Sequence, residues 1–115
     1  MKNNHFLGIY AEKISMFLLI AKGYKILAWR YKTPFGEIDL IAKKNNFLIF
    51  IEVKSSKNKI SNIERVLRNQ QIGRIFNAVE FFIKKNPDLQ KMPRRFDFIE
   101  VAGYFFIKHY YNFIS

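Results

Sequence analysis

The feature that most constrains this fold is a pair of apolar segments that form a predicted β-hairpin containing acidic residues. The segments cover residues 36–42 and 47–54, and the second begins with five consecutive apolar residues. Such a run is typical of a strand that is covered on both faces. The intervening residues end in Asn45 and Asn46, and asparagine tolerates the positive φ angles of a two-residue hairpin turn.

This turn predicts which residues face one another across the hairpin. Counting back from it places Asp39 opposite Glu52 and Glu37 opposite Lys54. Because side chains alternate along a strand, all four are expected on one face. Two facing carboxylates repel each other, and either a divalent cation or a shared proton would remove that repulsion. The residues alone leave two interpretations open: a metal-phosphate site, or solvated charges on an exposed edge hairpin.

The composition indicates a globular, strongly basic protein. Half of the 115 residues are hydrophobic, which excludes a disordered chain, and the length suits one domain at residues 1–115. The 20 Lys and Arg residues outnumber the 9 Asp and Glu residues, for a formal charge of +11. Nucleic acid is the expected partner of such an excess. A codon bias toward lysine would not explain the shortage of acids.

The cellular location is predicted from what the sequence lacks. It contains no cysteine, so disulfides and thiolate metal sites are excluded. The apolar run at residues 14–21 is too short to span a bilayer, and no small-residue cleavage site follows it. We therefore expect a cytoplasmic protein that does not associate with membranes.

Hydrophobic periodicity and turn residues predict a mixed α/β fold. The expected architecture is a small mixed central β-sheet flanked by helices, in the order α-β-β-β-α-β-β. Gly23 is the expected C-cap of the first helix, and residues 61–64 form a capping box for the second. The core stripe expected on the first helix is Leu7, Ala11, Ile14, Leu18 and Ala21. The expected elements are helices at residues 5–22 and 61 to about 85 and strands at residues 24–31, 36–42, 47–54, 95–102 and 105–111.

Polar residues on the two helices could complete a site on the hairpin. Glu12 lies among small and apolar neighbours, so it is expected to be partly buried and to need a cation or donor. The alternative is a surface carboxylate that the helix dipole favours near the helix start. On the second helix, Glu64, Arg68 and Gln71 share one face with the apolar residues that follow them. A face that is polar in its first turns and apolar afterwards predicts that the start of the helix points into a polar cleft. The capping box by itself also explains Glu64.

Two motifs together resemble a known family. They are GEIDLIA at residues 36–42 and FIEVK at residues 50–54. The whole pattern, from Gly8 to residues 95–99, resembles the YraN family of small bacterial proteins. That family resembles the restriction-endonuclease-like, PD-(D/E)xK nuclease superfamily, and it is similar to archaeal Holliday-junction resolvases in the order of its motifs. The resemblance implies a restriction-endonuclease-like core and nuclease chemistry, without indicating a pathway.

The resemblance also implies roles for individual residues in a Mg²⁺- or Mn²⁺-dependent endonuclease. Asp39 and Glu52 would bind the metal together with the main-chain carbonyl of Val53. Lys54 would position the attacking water or neutralise the scissile phosphate. Glu12 would match the first-helix glutamate of resolvase-like nucleases and act through a metal-bound water or a second ion. DNA is favoured over RNA as the substrate, and branched DNA is among the candidates.

Other residues have less defined roles. Gln71 would assist catalysis, although the YraN family usually has lysine at the matching position. Two roles stay open for Glu37: pairing with Lys54, or stabilising the turn beside Gly36. His5 and His109 lack metal-ligand spacing, and both are expected to be structural or incidental. The candidate contacts to backbone phosphates are Lys57, Lys59, Arg68, Arg74, Arg94 and Arg95.

Two other functions stay open. The chain could be a non-catalytic nucleic-acid-binding protein that retains the nuclease fold, although the core acids and Lys54 are all present. It could instead be a scaffold for a protein partner, and a junction-cleaving enzyme would be a two-fold homodimer. The C-terminal aromatic residues, expected in the core or at such a contact, are Phe105, Phe106, Tyr110, Tyr111 and Phe113.

Overall fold

The computed structural model describes residues 2–62, 65 and 72–112, with the side chains of residues 2–5 and 72 left aside. Within this part of the chain, two helices pack against one five-stranded sheet, so the expected mixed α/β class and element order are confirmed. The elements are α1 (Lys2–Ala21), β1 (Lys25–Thr33), β2 (Gly36–Lys44), β3 (Phe47–Ser56), α2 (Ile72–Lys85), a 3₁₀ turn (Pro87–Leu89), β4 (Arg94–Ala102) and β5 (Phe106–Tyr110).

The strands lie in chain order across the sheet. Neighbouring strands are antiparallel except β3 and β4, which are parallel. A parallel pair needs a long crossover, and the chain between Ser56 and Arg94 supplies it. The C-terminal ends of β3 and β4 therefore lie together with the start of β2, and we call this the site end of the sheet.

The β2–β3 hairpin has the predicted register. Asn45 and Asn46 have φ angles of 51° and 68°, as a two-residue turn of this kind requires. Lys44 pairs with Phe47, and the ladder continues to the pair Leu40 and Ile51. The sequence-based prediction of the turn is therefore confirmed.

Both faces of the central strand β3 are covered, which explains its continuous apolar run. On one face, Ile49 and Ile51 pack with residues of α1. On the other face, Leu48 and Phe50 pack with Ala78 and other residues of α2. Neither of these helices combines the length and the apolar character that a membrane crossing requires.

Helix α1 ends as predicted but buries a different face. Gly23 has φ of +92° and its N–H donates to the Ile20 carbonyl at 3.0 Å, while Tyr24 donates to the Leu19 carbonyl at 2.9 Å. This pair of bonds is a Schellman cap. The expected stripe is wrong in its C-terminal half, because Ala21 is exposed and Leu18 is only half-buried. The buried side chains of α1 are Leu7, Ala11, Ser15 and Leu19.

The stripe was misplaced because α1 is apolar around most of its circumference. When apolar residues surround a helix, the 3.6-residue period no longer selects one face. Packing against the sheet makes the selection instead. It leaves Phe6, Phe17 and Ile20 exposed.

Candidate functional site

The site begins where the β2–β3 ladder stops. Asp39 and Glu52 are the next residues on the two strands after the pair Leu40 and Ile51, and their carboxyl groups are within hydrogen-bonding reach of each other, in line with the predicted pairing. Here the main-chain N–H of Val53 donates a 2.8 Å hydrogen bond to Oδ2 of Asp39. A side chain has therefore replaced the main chain of β2 as the hydrogen-bond partner of β3.

The two carboxyl groups are close enough to affect each other's protonation. Burial raises the pKa of Asp39 to about 8, and the hydrogen bond with Glu52 and its charge add to that rise. The N–H of Val53 acts in the opposite direction, and the charge of Glu12 contributes a small further rise to the pKa of Asp39. Two partly buried acids this close together do not readily ionise at the same time.

A small pocket opens beside the two carboxyl groups. Its volume is about 30 Å³, which suits one or two water molecules or an ion. Its polar lining includes Glu37, Asp39 and Glu52 from the hairpin and Arg74 from α2, while Ile75 of α2 contributes to its apolar wall. The structure thus brings three of the four predicted hairpin residues to one pocket.

Arg74 approaches this pocket from α2. Its Nη2 lies 3.9 Å from Oε2 of Glu52, and its guanidinium passes close to the backbone of Gly36. A Cβ atom at Gly36 would collide with that guanidinium, and Gly36 has φ of +124°, where only glycine is unstrained. The positive φ therefore requires glycine here, and the flexible end of Arg74, which was predicted only as a phosphate contact, lies against its open side.

Glu12 was expected to need a cation or a donor because its neighbours in the sequence are small and apolar, and in the structure it is bonded to both. Its Oε1 accepts hydrogen bonds from Nε1 of Trp29 at 2.8 Å and from Nε of Arg30 at 2.7 Å. Bonding to Glu12 raises the pKa of the Arg30 guanidinium above its usual value. Arg30 has φ of +55°, an uncommon conformation for a non-glycine residue, within β1. Sequence analysis missed Trp29 and Arg30, because alternation along a strand does not indicate which helix covers it.

The donor set at the hairpin fits a hard divalent cation. Asp39 and Glu52 offer carboxylate oxygens, which Mg²⁺ and Mn²⁺ prefer. The carbonyl of Val53 points to the same side of β3 as its N–H, toward Asp39, because both groups of one strand residue face the same neighbour. The described residues contain no cluster of three or more His, Asp or Glu side chains suited to a metal. The oxygens that this end of the hairpin could offer to a cation are the carboxylates of Asp39 and Glu52 and the main-chain oxygen of Val53.

The other candidate residues lie in different surroundings. Lys54 is half-buried on β3 but does not line the pocket, and no ion pair joins it to Glu37 within the described residues. Lys57 and Lys59 are exposed on the loop after β3. Three candidates lie outside the described residues, namely Glu64, Arg68 and Gln71.

Two arginines predicted as phosphate contacts are engaged within the protein. Arg94 forms an ion pair with Glu80. Arg95 donates to the fully buried carboxylate of Asp97, from Nε to Oδ1 at 3.0 Å and from Nη2 to Oδ2 at 2.8 Å. The same Asp97 accepts a 2.8 Å bond from Nε2 of His109.

This buried network anchors the C-terminal strand. Nδ1 of His109 lies 3.0 Å from Nζ of Lys22, which ties β5 to the end of α1. Burial alone would raise the pKa of Asp97, but the hydrogen bonds from His109, Arg95 and the N–H of Asn112 hold it below its usual value. The structure agrees with a structural role for His109. The residue spacing did not indicate its hydrogen-bonding partners, Asp97 and Lys22, which lie in two distant segments.

Comparison with known proteins gives the family of the chain. Residues 11–101 match the uncharacterised protein family UPF0102. A UPF0102 protein of Nitrobacter winogradskyi is 40% identical over 95 residues, which cover 83% of this chain and 80% of the relative. One from Bradyrhizobium sp. (strain ORS 278) is 42% identical, with 83% and 67% covered, and one from Rhodopseudomonas palustris (strain BisB18) is 39% identical, with 83% and 70% covered. The chain therefore belongs to the UPF0102 family.

Proposed function

We propose that this protein is a metal-dependent endonuclease with a restriction-endonuclease-like core. The observation that carries the proposal is the pair of facing carboxyl groups of Asp39 and Glu52, half-buried at the end of the β2–β3 ladder. Burial and the neighbouring Glu52 raise the pKa of Asp39, so ionisation of both acids together is unfavourable unless a cation binds. The formal charge of +11 favours a polyanionic substrate. A phosphodiester substrate would bring its own negative charge to the same place.

The proposed chemistry is hydrolysis of a phosphodiester bond. A bound Mg²⁺ or Mn²⁺ would supply a Lewis acid for the phosphoryl oxygen and an activated water. Asp39, Glu52 and the Val53 carbonyl would hold this ion. Lys54 follows two residues after Glu52 on the same strand face, where its ammonium would stabilise negative charge on the phosphate.

Glu12 has a positioning role in this proposal. Its carboxylate is held by Trp29 and Arg30 at the distances given above, and its charge acts on Asp39. Arg30 is thus kept near the acids and could neutralise a substrate phosphate once the acids are bound to metal. Gln71 would assist from the second helix.

The substrate would be nucleic acid, with DNA favoured over RNA. Lys57 and Lys59 are exposed just beyond the C-terminal half of β3, so they could contact the phosphates that flank the site. Binding would then weaken steeply with salt, because each phosphate contact releases counterions. Cutting of a four-way DNA junction would further require a two-fold dimer.

The test is cleavage of a labelled panel of linear DNA, branched DNA and structured RNA with Mg²⁺ or Mn²⁺. The proteins would be the wild type, Asp39→Ala, Glu52→Ala and the matched surface control Asp88→Ala, since Asp88 is exposed and distant in sequence. We expect metal-dependent cutting by the wild type and the control only. Metal-dependent cutting that survives in both site variants would overturn the proposal.

A second candidate function is non-catalytic binding of nucleic acid. It is favoured by two observations, namely that Lys54 does not line the pocket and that Glu12 is already bonded to Arg30. In that case, no substrate of the panel would be cut. Salt-sensitive binding would persist and would be unaffected by Asp39→Ala.

A further inference from the structure

The turn between β4 and β5 presents an aromatic ring entirely to solvent. Phe105 has a relative exposure of 100%, the highest among the exposed large hydrophobic residues of the described chain. It was expected to begin the last strand, but β5 begins at Phe106 and Phe105 lies in the turn. Phe105 contributes nothing to the core, and the half-exposed ring of Tyr104 beside it extends the aromatic surface that is open to a ligand.

The turn that carries Phe105 is held in place. Gly103 has φ of +60°, and its N–H donates to the Ser56 carbonyl at 2.8 Å. The hydroxyl of Tyr10 on α1 donates to the Tyr104 carbonyl at 2.8 Å, and the two tyrosine rings meet edge-on at 4.9 Å. Exposure of Phe105 is therefore a property of an anchored turn, and the ring is pre-positioned for a ligand.

This turn lies at the site end of the sheet. Because β3 and β4 are parallel, Ser56 pairs with Ala102 immediately before the turn, while Glu52 lies on the same strand as Ser56. Four residues of extended strand span roughly 13 Å. This length separates Glu52 from Ser56, the β3 residue beside the turn, so a nucleic-acid strand of several nucleotides could extend from the carboxyl pair to the turn.

The positive charges beside the turn favour binding of an anionic ligand. Lys57 and Lys59 are exposed on the adjoining loop, and Nζ of Lys59 lies 4.4 Å from the ring centroid of Phe106. The exposed Lys108 follows on β5. A second copy of a chain with charge +11 would be repelled from this patch. An aromatic ring flanked by lysines instead matches an unpaired base and its neighbouring phosphates.

From the exposed ring and the adjoining lysines, we infer that Phe105 stacks on an unpaired base of a nucleic-acid strand whose phosphates contact Lys57 and Lys59. This inference rests on the proposed function for its link to cleavage and names the substrate class. Stacking on Phe105 needs a base outside a duplex, so the preferred substrates carry single-stranded bases a few nucleotides from the scissile phosphate. A continuous duplex offers no such base.

The test measures binding with EDTA present, so that cleavage cannot interfere. Fluorescence anisotropy would compare a labelled single strand, a duplex with an unpaired flap and a continuous duplex of matched length. The variants would be Phe105→Ala, Phe105→Trp and the control Phe17→Ala, which removes an exposed ring from helix α1. Circular dichroism would confirm that each variant is folded.

We expect Phe105→Ala to weaken binding of the single strand and the flap by roughly tenfold. Binding of the continuous duplex should change less than twofold, and Phe105→Trp should restore affinity. Equal affinity of the wild type and Phe105→Ala for the single strand would overturn the inference. So would a preference for anionic phospholipid vesicles that is lost in Phe105→Ala while oligonucleotide binding is unchanged.

The binding test of Phe105 and the cleavage test of the proposed function can succeed or fail independently. If Phe105→Ala weakens single-strand binding but the wild type cuts nothing, the inference about the base stands and the nuclease proposal fails. If the wild type cuts with metal but Phe105→Ala binds and cuts every substrate normally, the nuclease proposal stands and this inference fails.

Discussion

The main-chain N–H of Val53 donates to the carboxylate of Asp39, at 2.8 Å, where a regular hairpin would have it donate to the main chain of β2. This one bond joins the two strands beyond the last ladder pair and holds Asp39 beside Glu52. The folded chain therefore stabilises an arrangement in which two acids face each other. The predictions about protonation and metal binding follow from that arrangement.

The stability of the metal-free protein should fall as the pH rises. Burial and Glu52 raise the pKa of Asp39 from 3.8 in an unperturbed chain to about 8, so the folded state binds more protons than the unfolded state between these values. Stability contributed by this group is complete below pH 3.8 and is lost progressively up to about pH 8. Urea denaturation in EDTA across this range would measure it.

The matched variant for this pH dependence is Asp39→Asn, which cannot ionise. Its stability should be nearly flat over the same range, and Asp88→Asn should behave as the wild type. An identical slope in Asp39→Asn and the wild type would contradict the assignment.

Mg²⁺ or Mn²⁺ should stabilise the folded protein through Glu52. A cation that binds only the folded state raises the melting temperature, and above Kd the stabilisation grows with the logarithm of the cation concentration. Glu52→Gln removes one of the two carboxylates and should abolish most of this rise. Thermal melts with and without metal would measure it, with Asp88→Asn as a control that keeps the full response. A full response in Glu52→Gln would exclude this residue as a ligand.

Replacing Gly36 by alanine should destabilise the site end of the sheet. At φ of +124° an alanine is strained, and its Cβ would also displace Arg74. Together these effects should reduce the free energy of unfolding by about 1–3 kcal/mol, measured by urea denaturation. Adding Arg74→Ala to Gly36→Ala should recover only the part of the lost free energy of unfolding that comes from contact between the new Cβ and the guanidinium.

The chain offers a matched control for this substitution in Gly73. A Cβ at Gly73 meets nothing within 4 Å, and this glycine lies in helix α2. Gly73→Ala should therefore be neutral or stabilise by about 0.5–1 kcal/mol. Equal losses in Gly36→Ala and Gly73→Ala would show that the conformation of Gly36 has no special requirement.

Removing the charge of Asp97 should destabilise the whole domain. Its side chain is fully buried and bonded to Arg95 and His109. Asp97→Asn would leave the guanidinium buried without its partner, at a cost of about 3 kcal/mol in the free energy of unfolding. The exposed Asp88→Asn should change this free energy by less than about 0.5 kcal/mol. A small effect of Asp97→Asn would indicate that solvent reaches Arg95.

Local chemistry along the chain determined the hairpin and the facing acids. The turn at Asn45 and Asn46, the apolar run that follows and the period of two together place Asp39 opposite Glu52, because each depends only on neighbouring residues. The glycine cap of α1 is local in the same way. Glu12 was correctly predicted to need a cation and a donor, although their identity was not.

Only the tertiary structure decided which distant side chains meet at this end of the sheet. Arg74 reaches Glu52 from α2, Arg30 meets Glu12 across the α1–β1 contact, and Phe105 lies at the site end because β4 runs parallel to β3. These contacts depend on which face of each helix packs against the sheet and on the crossover between two strands. The period of the sequence does not select the buried face of a helix that is apolar on most sides, because packing of the complete core selects it. Nor does the period indicate where the crossover places the next strand.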